Sequence, residues 1–354
     1  MQRLIQIFTP SHADADNTNA QNLTVKEIVA RLPADLFHVT MLTSTAPDPR
    51  IAARKNTRLL HYGRRGNTAR MLARVLTQVP DVYFFPRYGP MDQAFVFLRR
   101  QLRLRTALVT YMVMMMNDTT VSPFIERLVR EADVALGNSV FVSETIQQHF
   151  GIRAETIYDG IDTRFYYPET SGDFSRRSSL SVLYAGSLQA RKRVPLLIRQ
   201  AARWPEVEFR LAGKGEEEAA CRRLAAELGC RNVVFLGHVT SLQLGSEMRR
   251  ASVFAFPSVL EGHPQVLGQA AACGLPIVAM NIYRPDYVVQ GKTGFLVESD
   301  ADFAQRLDLM LSDSNLRRSF SVAAVEHVRQ FSWDLITKQW ADIFHRAVQR
   351  RRAS

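Results

Sequence analysis

The chain is expected to fold as α/β, with two doubly wound, Rossmann-like domains built on parallel sheets. Three observations lead there. Short apolar runs alternate with longer amphipathic ones, which places helices on both faces of a parallel sheet. The alternation restarts after the middle of the chain. Finally, 354 residues exceed the roughly 250 to 300 that one hydrophobic core fills.

Taken in order, Leu4 to Phe8, Val39 to Leu42, Val82 to Phe85, Ala107 to Met112 and Val134 to Leu136 read as strands of a first sheet. Val25 to Leu32, Thr68 to Gln78, Ala94 to Leu102 and Pro123 to Glu131 carry helical spacing between them. Five further strands follow: Val182 to Ala185, Val207 to Ala212, Val233 to Leu236, Val253 to Phe256 and Ile277 to Ala279. The joint falls in the Ser-rich, aperiodic stretch Pro168 to Ser179. From Ser332 to Arg350, Trp333, Ile336, Trp340, Phe344 and Ala347 recur at three- and four-residue steps, as on an amphipathic helix. The expected domains are therefore 1–167 and 168–331, followed by a terminal helix, 332–354.

Composition narrows the function classes. Hydrophobic residues at 46% and charged residues at 22% are globular values and exclude a disordered chain. No apolar run reaches the roughly 18 to 20 residues that span a bilayer, and the apolar core of MQRLIQIFTP is too brief for a signal peptide. Cys221, Cys230 and Cys273 are scattered, which argues against a disulfide framework or a zinc site and for a reducing cytoplasm. The net charge of +11 calls for or tolerates an anionic partner. Arginines cluster at Arg64/Arg65/Arg70/Arg74, Arg99/Arg100/Arg103/Arg105 and Arg350/Arg351/Arg352. No aromatic interleaving or reader module accompanies them, so nucleic acid is not expected as a partner. Solvated helix faces and peripheral contact with an anionic membrane are the two readings left open.

The densest functional signal is FPSVLEGHPQVLGQAAACGLPIVA, Phe256 to Ala279. A strand runs into a turn holding Glu261, Gly262, His263 and Pro264. A helix follows and closes at Gly274, before the next strand. This order puts a carboxylate and a helix N-terminus, with its exposed amides, at the carboxyl end of a parallel strand, where phosphates are favoured. Earlier, LYAGSLQARKRVPLLI ends a strand at Gly186 and delivers Arg191 and Lys192 just before a helix. Adjacent cations there suit a diphosphate leaving group, and a solvated edge before a helix is the other reading. Near the N-terminus, the loop PSHADADNTNAQN offers His12, Asp14, Asp16 and Asn17. Capping of the helix near Gln21 and contact with a ligand are both open for this loop. Its Asp-x-Asp lies in the wrong context for a metal site, and no metal or other cofactor is expected.

These motifs resemble the retaining GT-B glycosyltransferases of the large group 1, family 4-like superfamily. In those enzymes seven residues intervene between the Glu of a Glu-Gly-aromatic-Pro turn and a second Glu; here the second carboxylate is replaced by Gln269. The likeness is specific from about Val182 to Val297 and diffuse before it. It is supported by YDGIDTRFYYP at the interdomain crossing, where Asp159 stands for the family Asn and Gly160, Asp162, Phe165 and Pro168 fit.

The resemblance implies two domains facing a cleft, with the C-terminal helix crossing back to the first. It implies a nucleotide-sugar donor on the second domain and a sugar, lipid-linked or small-molecule acceptor on the first. Glu261 would hold donor-sugar hydroxyls, and amides around Gln265, Val266, Leu267 and Gly268 would meet the diphosphate. Gln269 would lie at the ribose, Gly213 of the Gly-x-Gly turn near the donor, and Val239 of FLGHV at the base. Ser187 stands where the family places an Arg, and Met112 where it places a His, so no general base is assigned there. These departures keep a second reading open, a catalytically silent nucleotide-sugar-binding subunit. A non-hydrolysing epimerase shares the architecture but lacks the Glu-Gly-x-Pro turn. Cell-surface polysaccharide or glycoconjugate synthesis is the expected setting.

Overall fold

The computed structural model describes residues 3–16, 20–63, 68–84, 89–113, 122–169 and 180–353. Asn17, Arg64, Arg65, Phe85 and positions 170–179 of the expected linker lie outside them. The chain forms two compact units, Met1–Asp159 with Asp334–Ser354, and Gly160–Trp333.

The first unit is built on a seven-stranded parallel sheet in the order β3-β2-β1-β4-β5-β6-β7. Its elements are β1 (Ile5–His12), α1 (Ala20–Arg31), β2 (Phe37–Thr43), α2 (Pro49–Ala52), β3 (Thr57–His61), α3 (Thr68–Leu76), β4 (Val82–Phe84), α4 (Pro90–Gln101), β5 (Ala107–Met112), α5 (Pro123–Arg130), β6 (Val134–Gly137), α6 (Val140–Phe150) and β7 (Glu155–Thr156). β1 runs four residues beyond the expected strand, so His12 closes it instead of lying in a loop. Pro10 is accommodated by a register shift between Phe8 and His12, which spares the ladder a donor that proline lacks. Ser122 and Ser139 accept the Ile125 and Val142 amides at the starts of α5 and α6. Asp92 of α4 takes the Gly89 amide at 2.8 Å and the buried Tyr83 hydroxyl at 2.5 Å.

The second unit carries a six-stranded parallel sheet in the order β10-β9-β8-β11-β12-β13. It comprises β8 (Ser181–Ala185), α7 (Val194–Arg203), β9 (Glu208–Ala212), α8 (Glu218–Glu227), β10 (Val233–Gly237), α9 (Ser241–Arg250), β11 (Val253–Phe256), α10 (Gln265–Ala272), β12 (Ile277–Met280), β13 (Gly294–Val297), α11 (Asp300–Ser312) and α12 (Ser314–Val328). Strand order reverses between β8 and β11, so their carboxyl ends mark the topological switch point of the sheet, the place where ligands of such sheets bind.

The last helix, α13 (Trp333–Ala353), returns to the first unit. Ile336, Trp340, Phe344 and Ala347 are fully buried. Trp340 stands edge-on to Phe84 and Tyr111, both at 5.0 Å between centroids. Its arginines reach the amino ends of the strands: Arg346 grips Glu155 at 3.1 and 2.8 Å, and Arg350 adds a bond at 3.3 Å. Arg351 lies 3.9 Å from Asp133, and Arg352 3.9 Å from Asp81. The terminal arginines thus pair with acids at the strand ends while Arg350 and Arg352 stay exposed to solvent.

Where the chain enters and leaves the second unit, the Ile161 amide donates to the Phe331 carbonyl at 2.8 Å. A Cβ on Gly160 would lie 2.2 Å from the buried Trp333 ring. Gly160→Ala is therefore expected to destabilise the protein by about 1 to 3 kcal/mol through overpacking. A lowered denaturant midpoint with an unchanged slope would bear this out, and an unchanged midpoint would contradict it.

Candidate active site

Most of the residues singled out in the second half come together at the carboxyl edge of the second sheet. β8 ends at Ala185, and Gly186 and Ser187 lead into a 3-10 turn, Ala190–Lys192, that presents Arg191 and Lys192. β11 ends at Phe256, and the turn through Ser258 and Glu261 leads to α10. The two exits are stitched by backbone, the Val259 amide donating to the Arg191 carbonyl at 3.0 Å. Side chains complete the joint. Arg191 Nη1 donates to the Leu260 carbonyl at 2.7 Å and to Glu261 Oε1 at 2.9 Å. Lys192 Nζ and Ser258 Oγ donate to that same oxygen.

Three donors therefore converge on Oε1, while Oε2 accepts no hydrogen bond among the described residues. Such a carboxylate is held rigidly by one oxygen and offers the other as an acceptor. Burial pushes the Lys192 ammonium below its ordinary value, and Glu261 draws it back up. Lys192 also lies 5.0 Å from the Phe256 ring centroid, a cation–π contact. Its side chain is 9% exposed, whereas that of Arg191 is 38% exposed and keeps donors without a partner among the described residues.

The Gly-x-Gly turn has a packing purpose. A Cβ on Gly213 would fall 1.9 Å from the Gly186 carbonyl oxygen, so the exits of β8 and β9 touch backbone to backbone. The Gly213 amide meanwhile donates to Gly237 at 2.7 Å. Val239 lies just beyond β10 and is half-buried. Gly262, His263 and Pro264 are buried, Pro264 preceding the first turn of α10, where Gln265, Val266 and Leu267 follow. Gln269 is half-buried, and its side-chain amide has no partner within the protein among the described residues.

His263 fills the aromatic slot as an aromatic. It stacks on Tyr287 at 3.9 Å, and burial lowers its pKa to about 3. Asp286 Oδ2, 3.8 Å from Nε2, is beyond hydrogen-bond length, and burial outweighs its charge.

In the first unit, His12, Asp14 and Asp16 cluster where β1 gives way to the following loop. Asp14 Oδ1 accepts from Thr43 Oγ1 at 2.7 Å and from the Ser44 and Thr45 amides at 2.8 and 3.2 Å. Burial pushes its carboxyl up, but the Thr43 hydroxyl, these amides and nearby His12 together hold it below the usual range. Asp14 thus caps the exit of β2, not the helix near Gln21: its donors are the Thr43 hydroxyl and the Ser44 and Thr45 amides. Asp16 accepts the Thr45 hydroxyl at 2.9 Å. His12 Nδ1 lies 3.3 Å from both Asp14 Oδ2 and Ser44 Oγ. Met112 is buried at the end of β5. Among the described residues no group of His, Cys, Asp and Glu side chains could hold a metal, and no helix is long and apolar enough to cross a membrane.

Two contributors escaped the sequence reading. Ser258 is a buried donor to Glu261. Tyr184 packs beneath Gly186 and donates to the Ser187 carbonyl at 2.9 Å. Ser258, three residues before Glu261, was the one with a readable signal; Tyr184 looks like ordinary core.

The two parallel-sheet, Rossmann-like units have the GT-B fold. Residues 179–313 match the family model described as Glycosyl transferases group 1. It is 31% identical over 248 residues to a D-inositol 3-phosphate glycosyltransferase of Corynebacterium aurimucosum, a match covering 63% of this chain and 59% of that protein. A namesake from Kribbella flavida is 30% identical over 252 residues, again covering 63% and 59%. The chain thus spans about 59% of the length of these relatives. Among solved structures, sucrose-phosphate synthase from Thermosynechococcus elongatus superposes with a TM-score of 0.79 at 18% identity, covering 97% of this chain and 99% of that one. Anabaena HepE in complex with UDP and glucose gives 0.76 at 18% identity, covering 96% and 99%.

Because the folded-state pKa of His263 is depressed, the unfolded chain binds its proton first. The associated stability is fully present above the ordinary value of 6.5 and is lost as pH falls from there toward about 3. His263→Phe should flatten the acid side of a melting-temperature profile between pH 6.5 and 4.5, a window set by that same shift. Parallel profiles for variant and wild type would contradict this.

Proposed function

We propose that this chain is a glycosyltransferase that moves a sugar from a nucleotide-sugar donor to an acceptor hydroxyl with retention of anomeric configuration. The observation that carries the reading is Glu261, anchored through Oε1 by Arg191, Lys192 and Ser258 and open at Oε2, beside the start of α10. Structural neighbours described in complex with UDP, and with UDP-glucose, make a uridine diphosphate sugar the first donor to test.

In this scheme Oε2 accepts a donor-sugar hydroxyl and fixes the anomeric carbon, while the first amides of α10 meet the diphosphate. Arg191 and Lys192 supply positive charge as the glycosidic bond to phosphate breaks. The departing phosphate oxygen takes the proton of the acceptor hydroxyl, whose oxygen attacks from the same face. No side chain is needed as nucleophile. Gln269 retains an acceptor and adds donors for ribose hydroxyls. The loop of His12, Asp14, Asp16 and Asn17 is the acceptor-side candidate, and the acceptor is a sugar, lipid-linked or small-molecule hydroxyl. Peripheral contact with an anionic membrane would rest on exposed Arg100, Arg103 and Arg105.

A silent nucleotide-sugar-binding subunit is the second reading, favoured by Ser187, Met112 and Gln269. Transfer or hydrolysis products from a nucleotide-sugar panel separate the two, because a silent subunit binds and releases the donor unchanged.

Glu261→Gln should cut turnover by about 10²-fold or more, since a misplaced reacting centre loses its proximity advantage. UDP affinity should change far less, and steady-state turnover close to wild type would remove Glu261 from its role. Lys192→Ala should weaken UDP binding and slow transfer together, because its charge meets phosphate in both states. Calorimetry with unchanged UDP affinity would place Lys192 outside the site.

A further inference from the structure

The first unit has a switch point of its own. Its strand order reverses between β1 and β4, and His12 closes β1 at the carboxyl end. Ligands of parallel sheets bind at such points. Neighbours hold the His12 ring in place. Nδ1 lies 3.3 Å from both Asp14 Oδ2 and Ser44 Oγ, and the Tyr62 ring stands edge-on at 6.0 Å between centroids. The His12 amide donates to Asn22 Oδ1 at 3.3 Å, which fixes the backbone behind the ring.

The same neighbours decide which ring nitrogen carries the proton. Ser44 Oγ has a single proton and gives it to the Tyr62 carbonyl at 2.6 Å, so toward His12 this oxygen accepts. Asp14, whose carboxyl lies below the usual range, stays ionised, so its Oδ2 accepts as well. Two acceptors on one nitrogen make Nδ1 the N–H donor. In the neutral ring Nε2 is then a bare lone pair. It has no partner among the described residues, and the side chain is 26% exposed.

We propose that His12 Nε2 accepts a hydrogen bond from a hydroxyl of the acceptor, and that Asp14 and Ser44 are positioning residues that hold the ring in the tautomer this requires. The inference rests on the glycosyl-transfer reading and deepens it on the acceptor side. The hydroxyl held by His12 is a neighbour of the one that attacks, whose own proton goes to the departing phosphate. His12 therefore selects and orients the acceptor without taking its proton. A polyol, with one hydroxyl to hold and another to react, meets both demands.

Asp14→Asn on the full chain tests the tautomer. The Oδ1 position faces three donors, the Thr43 hydroxyl and the Ser44 and Thr45 amides, so the oxygen of the new amide must stay there. Its NH2 then points at Nδ1, which has to accept, and the ring proton moves to Nε2. Nitrogen NMR of the histidine-labelled chain, with the His12 signal identified by its loss in His12→Phe, should show Nδ1–H in wild type and Nε2–H in Asp14→Asn. Function is read with UDP-glucose as the sugar source and glycerol, myo-inositol and methyl glucoside as hydroxyl probes. In both variants the KM for the probes should rise about tenfold, the worth of one hydrogen bond, while UDP-glucose hydrolysis and UDP affinity hold. An Nε2–H ring in wild type, or a ring that does not switch in Asp14→Asn, would overturn the inference. So would an unchanged probe KM in either variant, an equal loss of hydrolysis and transfer, or a wild type that hydrolyses UDP-glucose yet transfers to none of the probes. A wild type that leaves UDP-glucose intact would instead bring down the transfer reading, and this inference with it.

Discussion

The second unit is organised around one carboxylate oxygen. Glu261 Oε1 gathers a guanidinium, an ammonium and a hydroxyl from two loops that are seventy residues apart in sequence. Those loops leave β8 and β11, which neighbour each other only because the strand order reverses there. Without a shared acceptor, Arg191 and Lys192 would repel each other in a partly buried corner. Without the cations, the carboxylate would be costly to keep out of water. The backbone bond from Val259 to Arg191 and the close approach of Gly213 to Gly186 fix the same corner from beneath. What results is a set of charges arranged before any ligand arrives, with one acceptor oxygen and part of a guanidinium left over.

Charge is used differently in the first unit. A net +11 suggests a polyanionic partner, yet Arg99 is buried on Asp133 at 2.6 Å and the terminal arginines serve Glu155, Asp133 and Asp81. Each of these acids stands at or near the amino end of a strand, and α13 bridges them. Composition counts such arginines as surplus, while the fold treats them as fasteners. Arg74, Arg100, Arg103 and Arg105 are among the exposed arginines that an outside anion could meet.

The sheets were legible because their inner strands are buried on both faces and read as unbroken apolar runs. β3, β7 and β13 were not read. TRLLH mixes a cation and a histidine into an edge strand, Glu155–Thr156 is two residues long, and GFLV follows a glycine turn. Pairing with a neighbour, not local pattern, makes these segments strands. At the site, Glu261, Arg191 and Lys192 could be read because their chemistry is unusual beside a strand exit. The sharing of one oxygen could not, since it depends on which strands are adjacent. His263 was read as part of a motif; its neutral, stacked state comes from Tyr287, which no spacing rule connects to it. Tyr184 was invisible because a buried tyrosine reads as core until its hydroxyl is traced.

The most direct measurement is a structure of the full chain determined with UDP. The account predicts the diphosphate at the exits of β8 and β11, against the first turn of α10, with Arg191 or Lys192 on its oxygens and Glu261 Oε2 still facing the open side. UDP bound elsewhere, or bound while both cations remain on Glu261 and touch no phosphate, would contradict it.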